Sequence, residues 1–242
     1  MQHQYEIEIK SLLGGKEKAE ELKIKMKAAD PQFVEIGSHK QLNHYFVDGD
    51  LKTLYHNAAN VIEAGKKDKL RELSEKAKDY SVRTRWADGK VILVVKASVD
   101  DTTSSNGTAR LEWESPVSFP SFEKAGFRGV KPSAADEIQQ LDELVLKSGF
   151  KYQAKWSRER QEFQYKGANV SIDKNAGYGY LSEFEMVIGD PAKADETKAA
   201  IRQMMKDLGI DELPQDRLAR MFDYYNKNWE NYYGTEKIFT IE

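Results

Sequence analysis

The sequence predicts an α+β fold in which antiparallel strands carry one charged face and helices cover the other face. The first observation is the stretch from Tyr5 to Lys10, where apolar and charged residues alternate with a period of two. The second is that the same alternation returns in later strands, with nearly pure charge of both signs on one face. The third is a set of amphipathic helices whose apolar stripes need a surface to cover.

The composition indicates a water-soluble globular protein. Charged residues make up 32% of the 242 residues, and the mean hydropathy is −0.71. The net charge of −3 and the sequence pI of about 5.9 argue against attraction to nucleic acid or to an anionic membrane. The absence of cysteine excludes disulfides and thiolate metal sites.

Three expectations about organisation follow. With no evident linker, we expect a single domain over residues 1–242. We expect a cytoplasmic protein without membrane contact, because the N-terminus shows no leader and no apolar run approaches the roughly 18 residues of a membrane span. We expect a monomer or a homodimer.

The first predicted strand shows the charged alternation most clearly. It places Glu6, Glu8 and Lys10 on one face, with Ile7 and Ile9 on the other. Two neighbouring carboxylates repel each other, and a divalent cation with oxygen ligands makes the pair tolerable in a shielded place. The alternative is an amphipathic strand whose charged face lies in water. Further strands are predicted at 41–48, 80–86, 91–96, 110–114, 150–165, 168–173, 181–188 and, as a short final strand, 237–241.

Apolar residues at helical spacing predict helices between and after these strands. Ser133 is a predicted N-cap with Asp136 three residues on, and Asp190-Pro191 is typical of a helix start. Helices are predicted at 16–29, in a helical insertion at about 50–79 that is interrupted at Gly65, at 133–149, and in C-terminal helices at about 191–230.

The charged pairs allow two interpretations of the sheet. One is an open sheet whose charged face lies in water, and the other is a closed barrel with a charged lumen under a coat of helices. In the second, converging arginines and lysines suit a polyanion, since the guanidinium fork matches phosphate. Carboxylates in the same space then require a divalent cation, and oxygen ligands suit Mg²⁺ or Mn²⁺. This combination is typical of phosphoryl transfer. The histidines lack zinc-site spacing and are expected to be ordinary surface or core residues: His3, His39, His44 and His56.

These motifs resemble the CYTH superfamily, the triphosphate tunnel metalloenzymes, which include class IV adenylyl cyclases, thiamine triphosphatases and inorganic triphosphatases. The family's N-terminal Glu-x-Glu-x-Lys signature is matched in full by residues 6–10. The later motifs follow in the family's order: a Tyr-Phe-Asp-like strand at 43–48 with an extra Val before Asp48, Arg83-x-Arg85 with Lys96, Arg110-x-Glu112-x-Glu114, Arg158-x-Arg160, and Asp173, Gly179 and Glu183-x-Glu185.

The resemblance implies a closed antiparallel eight-stranded β tunnel with a polar, charged lumen and helices packed outside. Implied metal ligands are Glu6, Glu8, Asp173, Glu183 and Glu185. Implied substrate-binding residues are Lys10, Arg83, Arg85, Lys96, Arg110, Arg158, Arg160 and Arg217, the last standing where thiamine triphosphatases have a phosphate-binding lysine. Implied catalytic residues are Glu6, Glu8, Glu112 and Glu114, of which the latter two would orient the basic residues or a metal-bound water.

We therefore expect a triphosphatase that depends on Mg²⁺ or Mn²⁺ and acts on tripolyphosphate or an organic triphosphate, such as thiamine triphosphate or a nucleoside triphosphate. Two alternatives stay open at this point. One is a class IV adenylyl cyclase that converts ATP to cyclic AMP and pyrophosphate. The other is a non-catalytic module that binds polyphosphate or nucleotide. In each case the expected partner is a small-molecule triphosphate and not a nucleic acid.

Overall fold

The structure is a computed structural model that describes residues 5–98, 111–119 and 133–241. The chain forms two compact units. Unit 1 comprises Met1–Lys40 and Trp156–Glu242, and unit 2 comprises Gln41–Lys155. Among the helices of the described ranges, none combines the length and the apolar character that crossing a membrane requires.

The part of the chain that the structure describes forms an antiparallel sheet of eight strands, which confirms the predicted α+β class. They are β1 (Tyr5–Gly14), β2 (Val34–Val47), β3 (Asp79–Ala87), β4 (Lys90–Ser98), β5 (Leu111–Pro116), β6 (Lys151–Tyr165), β7 (Ala168–Asn175) and β8 (Gly179–Ile188). Their hydrogen-bonded order is β1-β8-β7-β6-β2-β3-β4-β5. This order has two ends, and no ladder between β1 and β5 occurs within the described residues. Closure of the sheet into a tunnel therefore stays a prediction.

Within the described ranges, six α-helices accompany the sheet. They are α1 (Lys16–Ala29), α2 (Leu51–Ala58), α3 (Lys67–Lys76), α4 (Ala134–Lys147), α5 (Ala194–Leu208) and α6 (Gln215–Asn228). The predicted start of α4 is confirmed, because Ser133 and Asp136 form a reciprocal capping box of side-chain and backbone hydrogen bonds. Helix α5 ends at Gly209, whose φ of 70° is left-handed and therefore favours glycine.

In unit 1 the apolar face of the strands is buried against two helices. Ile7 and Ile9 of β1 and Phe184 of β8 pack in one core cluster with α1 residues such as Leu22 and α5 residues such as Ile201. Each of these side chains is at most 5% exposed, and burying a side chain of this size contributes about 1.5–3 kcal/mol. Because successive side chains of a strand alternate, this packing leaves the charged residues of β1 and β8 on the opposite face.

Unit 2 repeats the arrangement with different helices. Val82 of β3 and Val95 of β4 are fully buried in a cluster with Leu54 of α2, Leu70 of α3 and Leu141 of α4. The helical insertion and α4 therefore cover the apolar face of these strands. The alternate residues of β3, β4 and β5, which carry the charges, lie on the other face.

Two predicted elements differ from the structure. β2 begins at Val34 and not at residue 41, because none of residues 34–40 is buried and Gly37 weakens the strand signal there. The predicted interruption of the helical insertion at Gly65 is confirmed, since α2 and α3 are separated by a turn that contains a short 3₁₀ segment there. The final strand predicted at 237–241 is wrong, since Ile238 forms only an isolated bridge with Gly177.

Candidate functional site

The charged face of unit 1 is defined by seven residues of four neighbouring strands: Glu8, Lys10, Arg158, Arg160, Asp173, Glu183 and Glu185. Strand register brings them together. Across the β1–β8 ladder, Glu8 lies opposite Glu185 and Lys10 lies opposite Glu183. Across the β6–β7 ladder, Arg160 lies opposite Asp173. Side chains directly opposite each other on one face are about 4.5–5.5 Å apart at Cβ, so these pairs interact.

Glu183 is the centre of this face. One carboxylate oxygen lies 3.4 Å from Lys10 Nζ, and the other accepts a hydrogen bond of 2.8 Å from Arg160 Nη2. Lys10 also donates to Glu8, and the Ser171 hydroxyl lies 3.4 Å from Glu183 Oε2. The Lys10 and Glu183 side chains are only 16% and 20% exposed. A carboxylate thus lies between two cations in a partly desolvated place.

Asp173 joins the two arginines of β6. Its side chain is 2% exposed. Arg160 binds it through a two-pronged contact, Nε to Oδ1 at 2.7 Å and Nη2 to Oδ2 at 2.6 Å, and Arg158 Nη1 donates to Oδ2 at 3.2 Å. Such bidentate contacts fix the plane of a guanidinium. Asp173, a predicted metal ligand, therefore holds both arginines in place in this structure.

The charges of this face shift each other's ionisation. Burial alone would raise the pKa of Glu183, but Lys10, Arg160 and Arg158 lower that pKa to about 2. Burial opposes the charged form of Lys10, yet the carboxylates of Glu183 and Glu8 hold the pKa of Lys10 above its usual value. Asp173 and Glu183 likewise raise the pKa of Arg160 against the effect of burial. The ion pairs on this face therefore stay charged over a wide pH range.

The acidic end of the face lies at Glu8 and Glu185, and Glu6, two residues before Glu8 on the same face of β1, extends it. Burial, together with the negative charges of Glu6 and Glu8, raises the pKa of Glu185 above its usual value. The donors are carboxylate oxygens, the type that Mg²⁺ and Mn²⁺ prefer, and a cation would relieve their mutual repulsion. Within residues 5–98, 111–119 and 133–241, no three or more acidic, histidine or cysteine side chains are arranged to hold a metal ion. The donor chemistry therefore fits a divalent cation, although these side chains do not converge on one point.

The charged face of unit 2 is defined by Arg83 and Arg85 of β3, Lys96 of β4, and Glu112 and Glu114 of β5. Lys96 lies opposite Glu112 in the β4–β5 ladder, and its Nζ is 2.7 Å from Glu112 Oε2. Arg83 Nη2 donates to Glu112 Oε1 at 3.2 Å, and Arg85 Nη1 lies 3.9 Å from Glu114. Burial would raise the pKa of Glu112, but Lys96, Arg83 and Arg85 lower it overall.

Two neutral residues of β2 complete this face and were not predicted as site residues. The Asn43 side-chain oxygen accepts from Arg85 Nε at 3.0 Å, and the Tyr45 hydroxyl accepts from Arg83 Nη1 at 3.1 Å. They alternate with the buried His44 and Phe46. This alternation in the sequence could have predicted Asn43 and Tyr45 on the charged face. Both residues are neutral, so the pattern of charged residues did not indicate them.

Of the predicted substrate-binding residues, one is not described by the structure and one lies on a helix. Arg110 lies outside the described residues. Arg217 lies on α6, where its Nε donates to the backbone carbonyl of Ile241 at 2.7 Å. It therefore holds the C-terminal segment. The other predicted site residues lie in the strands and on the faces that their alternation indicated, and their roles stay predictions.

Comparisons with known proteins were made for the whole chain. No curated protein matches it. Among solved structures, the PH1012 protein from Pyrococcus horikoshii OT3 is 16% identical, with a TM-score of 0.50 over 85% of this chain and 91% of the other. A candidate adenylate cyclase from Vibrio parahaemolyticus is 11% identical, with a TM-score of 0.50 over 88% of this chain and 95% of the other.

At such low identity these two structures support the fold alone. The match to a family shows more, because the model of the CYTH domain covers residues 4–217, well over half of the chain. That range includes every strand of the sheet and every residue of the two charged faces. The chain therefore belongs to the CYTH domain family.

Proposed function

We propose that this protein is a divalent-metal-dependent triphosphatase that hydrolyses tripolyphosphate or an organic triphosphate in a charged tunnel. The observation that carries the proposal is the charged face of unit 1. There, Glu183 lies between Lys10 and Arg160, beside an acidic end whose carboxylates repel each other. Cations that bind phosphate oxygens and carboxylates that bind a metal are the two parts that phosphoryl transfer requires.

The basic residues supply the binding of phosphate. On unit 1, Lys10, Arg158 and Arg160 present ammonium and guanidinium groups held in place by buried carboxylates. On unit 2, the Nε of Arg83 is buried and, among the described residues, has no hydrogen-bond partner. A buried donor without an acceptor costs free energy, and a phosphate oxygen would satisfy it. This supports Arg83 as a phosphate ligand.

Glu6, Glu8 and Glu185 would hold the metal, and their carboxylate oxygens suit Mg²⁺ or Mn²⁺. When bound, the cation neutralises charge on the phosphates and lowers the pKa of a water molecule. Glu183 and Asp173, also predicted as ligands, orient the phosphate-binding cations in this proposal. Glu112 does the same for Lys96 and Arg83 on unit 2. Glu114 lies beside Arg85.

Phosphate release from tripolyphosphate, thiamine triphosphate, ATP and GTP, each with Mg²⁺ or Mn²⁺, tests the proposal. We expect release from at least one substrate, and loss of at least about 100-fold in Lys10→Ala, since an electrostatic contact to the transferred group is removed. Chelation of the metal should abolish the activity.

The products decide between the proposal and its alternatives. Formation of cyclic AMP and pyrophosphate from ATP would mean that the protein is an adenylyl cyclase and not a triphosphatase. Adenylate cyclase is the activity for which the Vibrio parahaemolyticus protein is named. Tight binding of tripolyphosphate without turnover of any substrate would mean that the protein is a non-catalytic binding module.

A further inference from the structure

A buried carboxylate network lies in unit 2, on the face of the sheet that the helices cover. Its members are Asp142 of α4, His44 of β2, Thr84 of β3 and Tyr152 of β6. Asp142 is 1% exposed, His44 3% and Thr84 0%. Thr84 Oγ1 donates to Asp142 Oδ1 at 2.6 Å, and Tyr152 Oη donates to Asp142 Oδ2 at 2.7 Å. His44 Nδ1 lies 2.6 Å from Asp142 Oδ2. None of these residues belongs to the chemistry proposed above.

The network connects to the charged face through the strand register. His44 and Thr84 lie directly opposite each other in the β2–β3 ladder. The pairs on either side of them are Asn43 with Arg85 and Tyr45 with Arg83. Because side chains alternate along a strand, these flanking pairs point to the charged face. His44 and Thr84, which contact Asp142, therefore lie between the two arginines along the strands and on the opposite face of the sheet.

The energetics favour a positioning role for the network. A carboxylate removed from water is costly unless its oxygens are satisfied, and here both oxygens of Asp142 have partners. Fully satisfied buried networks add rigidity and select one arrangement more than they add stability. Here the network fixes the position of α4 against β2 and β3. Trp86 Nε1 reinforces it by donating to Glu137 of the same helix at 2.7 Å.

We infer that Asp142 is a positioning residue, which acts through His44 and Thr84 to fix the strand segments that present Arg83 and Arg85 to phosphate. This inference rests on the proposed function, in which the two arginines bind a triphosphate. The competing interpretation is that the network only packs α4 onto the sheet. The two differ in what happens to phosphate binding when one contact of the network is lost and the fold is kept.

The experiment compares two substitutions of one residue. Thr84→Val keeps the shape and the β-branched character of the side chain but removes the hydroxyl donor, whereas Thr84→Ser keeps the donor. Val145→Ala is the matched control, because Val145 is a fully buried residue of the same helix that is not a member of the network. The readouts are the Kd of tripolyphosphate by calorimetry without metal, the KM and kcat for phosphate release, and the midpoint of chemical unfolding.

We expect Thr84→Val to raise the Kd and the KM about tenfold, because small displacements of substrate-positioning groups have effects of this order. Thr84→Ser should remain within about twofold of the wild type. Val145→Ala should lose stability and leave the Kd unchanged. If Thr84→Val loses stability but binds tripolyphosphate as the control does, the network only packs the helix and the inference is wrong. If the wild type neither binds tripolyphosphate nor releases phosphate from any of the four triphosphates, the proposed function fails and takes the inference with it.

Discussion

The two charged faces hold their cations in different ways. In unit 1, Arg160 contacts two carboxylates, at 2.6 Å from Asp173 and 2.8 Å from Glu183. In unit 2, Arg85 Nε donates a 3.0 Å hydrogen bond to the neutral Asn43, and Glu114 lies at 3.9 Å. The face of unit 1 as defined above has four carboxylates and three cations, whereas the face of unit 2 has three cations and two carboxylates, so its net charge favours an anion. We infer that carboxylates near the cations serve rigidity and metal binding in unit 1, and that neutral acceptors preserve phosphate affinity in unit 2.

The largest effect is expected from truncating one arginine in each face. Arg160→Ala leaves Asp173 and Glu183 without a main partner, so we expect a loss of about 3–5 kcal/mol in the free energy of unfolding. Arg85→Ala leaves the neutral amide of Asn43 and the half-exposed carboxylate of Glu114, so it should cost less, about 1 kcal/mol. Both should lower kcat/KM at least about 100-fold if both bind the transferred phosphates. Urea unfolding and phosphate release measure the two effects, and equal losses of stability would contradict the comparison.

Acid unfolding sharpens the comparison. The pKa of Glu183 is lowered in the folded protein from a usual 4.5 to about 2. The stability from Glu183 is therefore fully present above about pH 4.5 and is lost as the pH falls from there towards 2. We expect this loss to be on the order of 2–3 kcal/mol.

Unfolding of the wild type and of Glu183→Gln between pH 2 and 6 measures this contribution. The difference between the two proteins should shrink as the pH falls through this window. Glu112→Gln serves as the matched variant from unit 2. A difference between the wild type and Glu183→Gln that stays constant with pH would show that Glu183 does not contribute as an ionised group.

A smaller effect is expected at the acidic end of unit 1. Burial and the charges of Glu6 and Glu8 raise the pKa of Glu185, so removing its charge relieves repulsion. Glu185→Gln should leave the metal-free protein at least as stable as the wild type and weaken Mn²⁺ binding about tenfold. In the wild type, Mn²⁺ affinity should fall on acidification, because protonation of Glu185 competes with the cation. Calorimetry at several pH values tests both statements, with Glu112→Gln as the control that keeps its affinity.

The smallest effect is expected at Arg217. Its Nε donates to the carbonyl of Ile241, so Arg217→Ala should cost about 1–1.5 kcal/mol of stability. The KM for tripolyphosphate should change less than about twofold, a threshold well below the effect of an ionic phosphate contact. Steady-state kinetics of phosphate release from tripolyphosphate measure this KM. A large rise in KM would restore the phosphate-binding role that the resemblance implied for this residue.

Much of the fold and of the site could be predicted from local patterns. The alternation in β1 correctly placed Ile7 and Ile9 in the core. The capping signal at Ser133 located the start of α4. The first half of β2 could not be predicted, because none of its residues is buried and the stretch contains Gly37. His44 fits the prediction of an ordinary surface or core residue, but its contact with Asp142 could not be predicted, since the two residues are far apart in the chain.

By itself the sequence determined which residues share a face and which faces carry charge, because alternation and charge are properties of neighbouring residues. It also determined the order of motifs by which the family is recognised. Only the tertiary structure decided which partner each cation takes: Glu183 for Lys10, Asp173 for Arg160, Asn43 for Arg85. These partners lie on other strands, and the register of the ladders and the helices packed behind them set their distances.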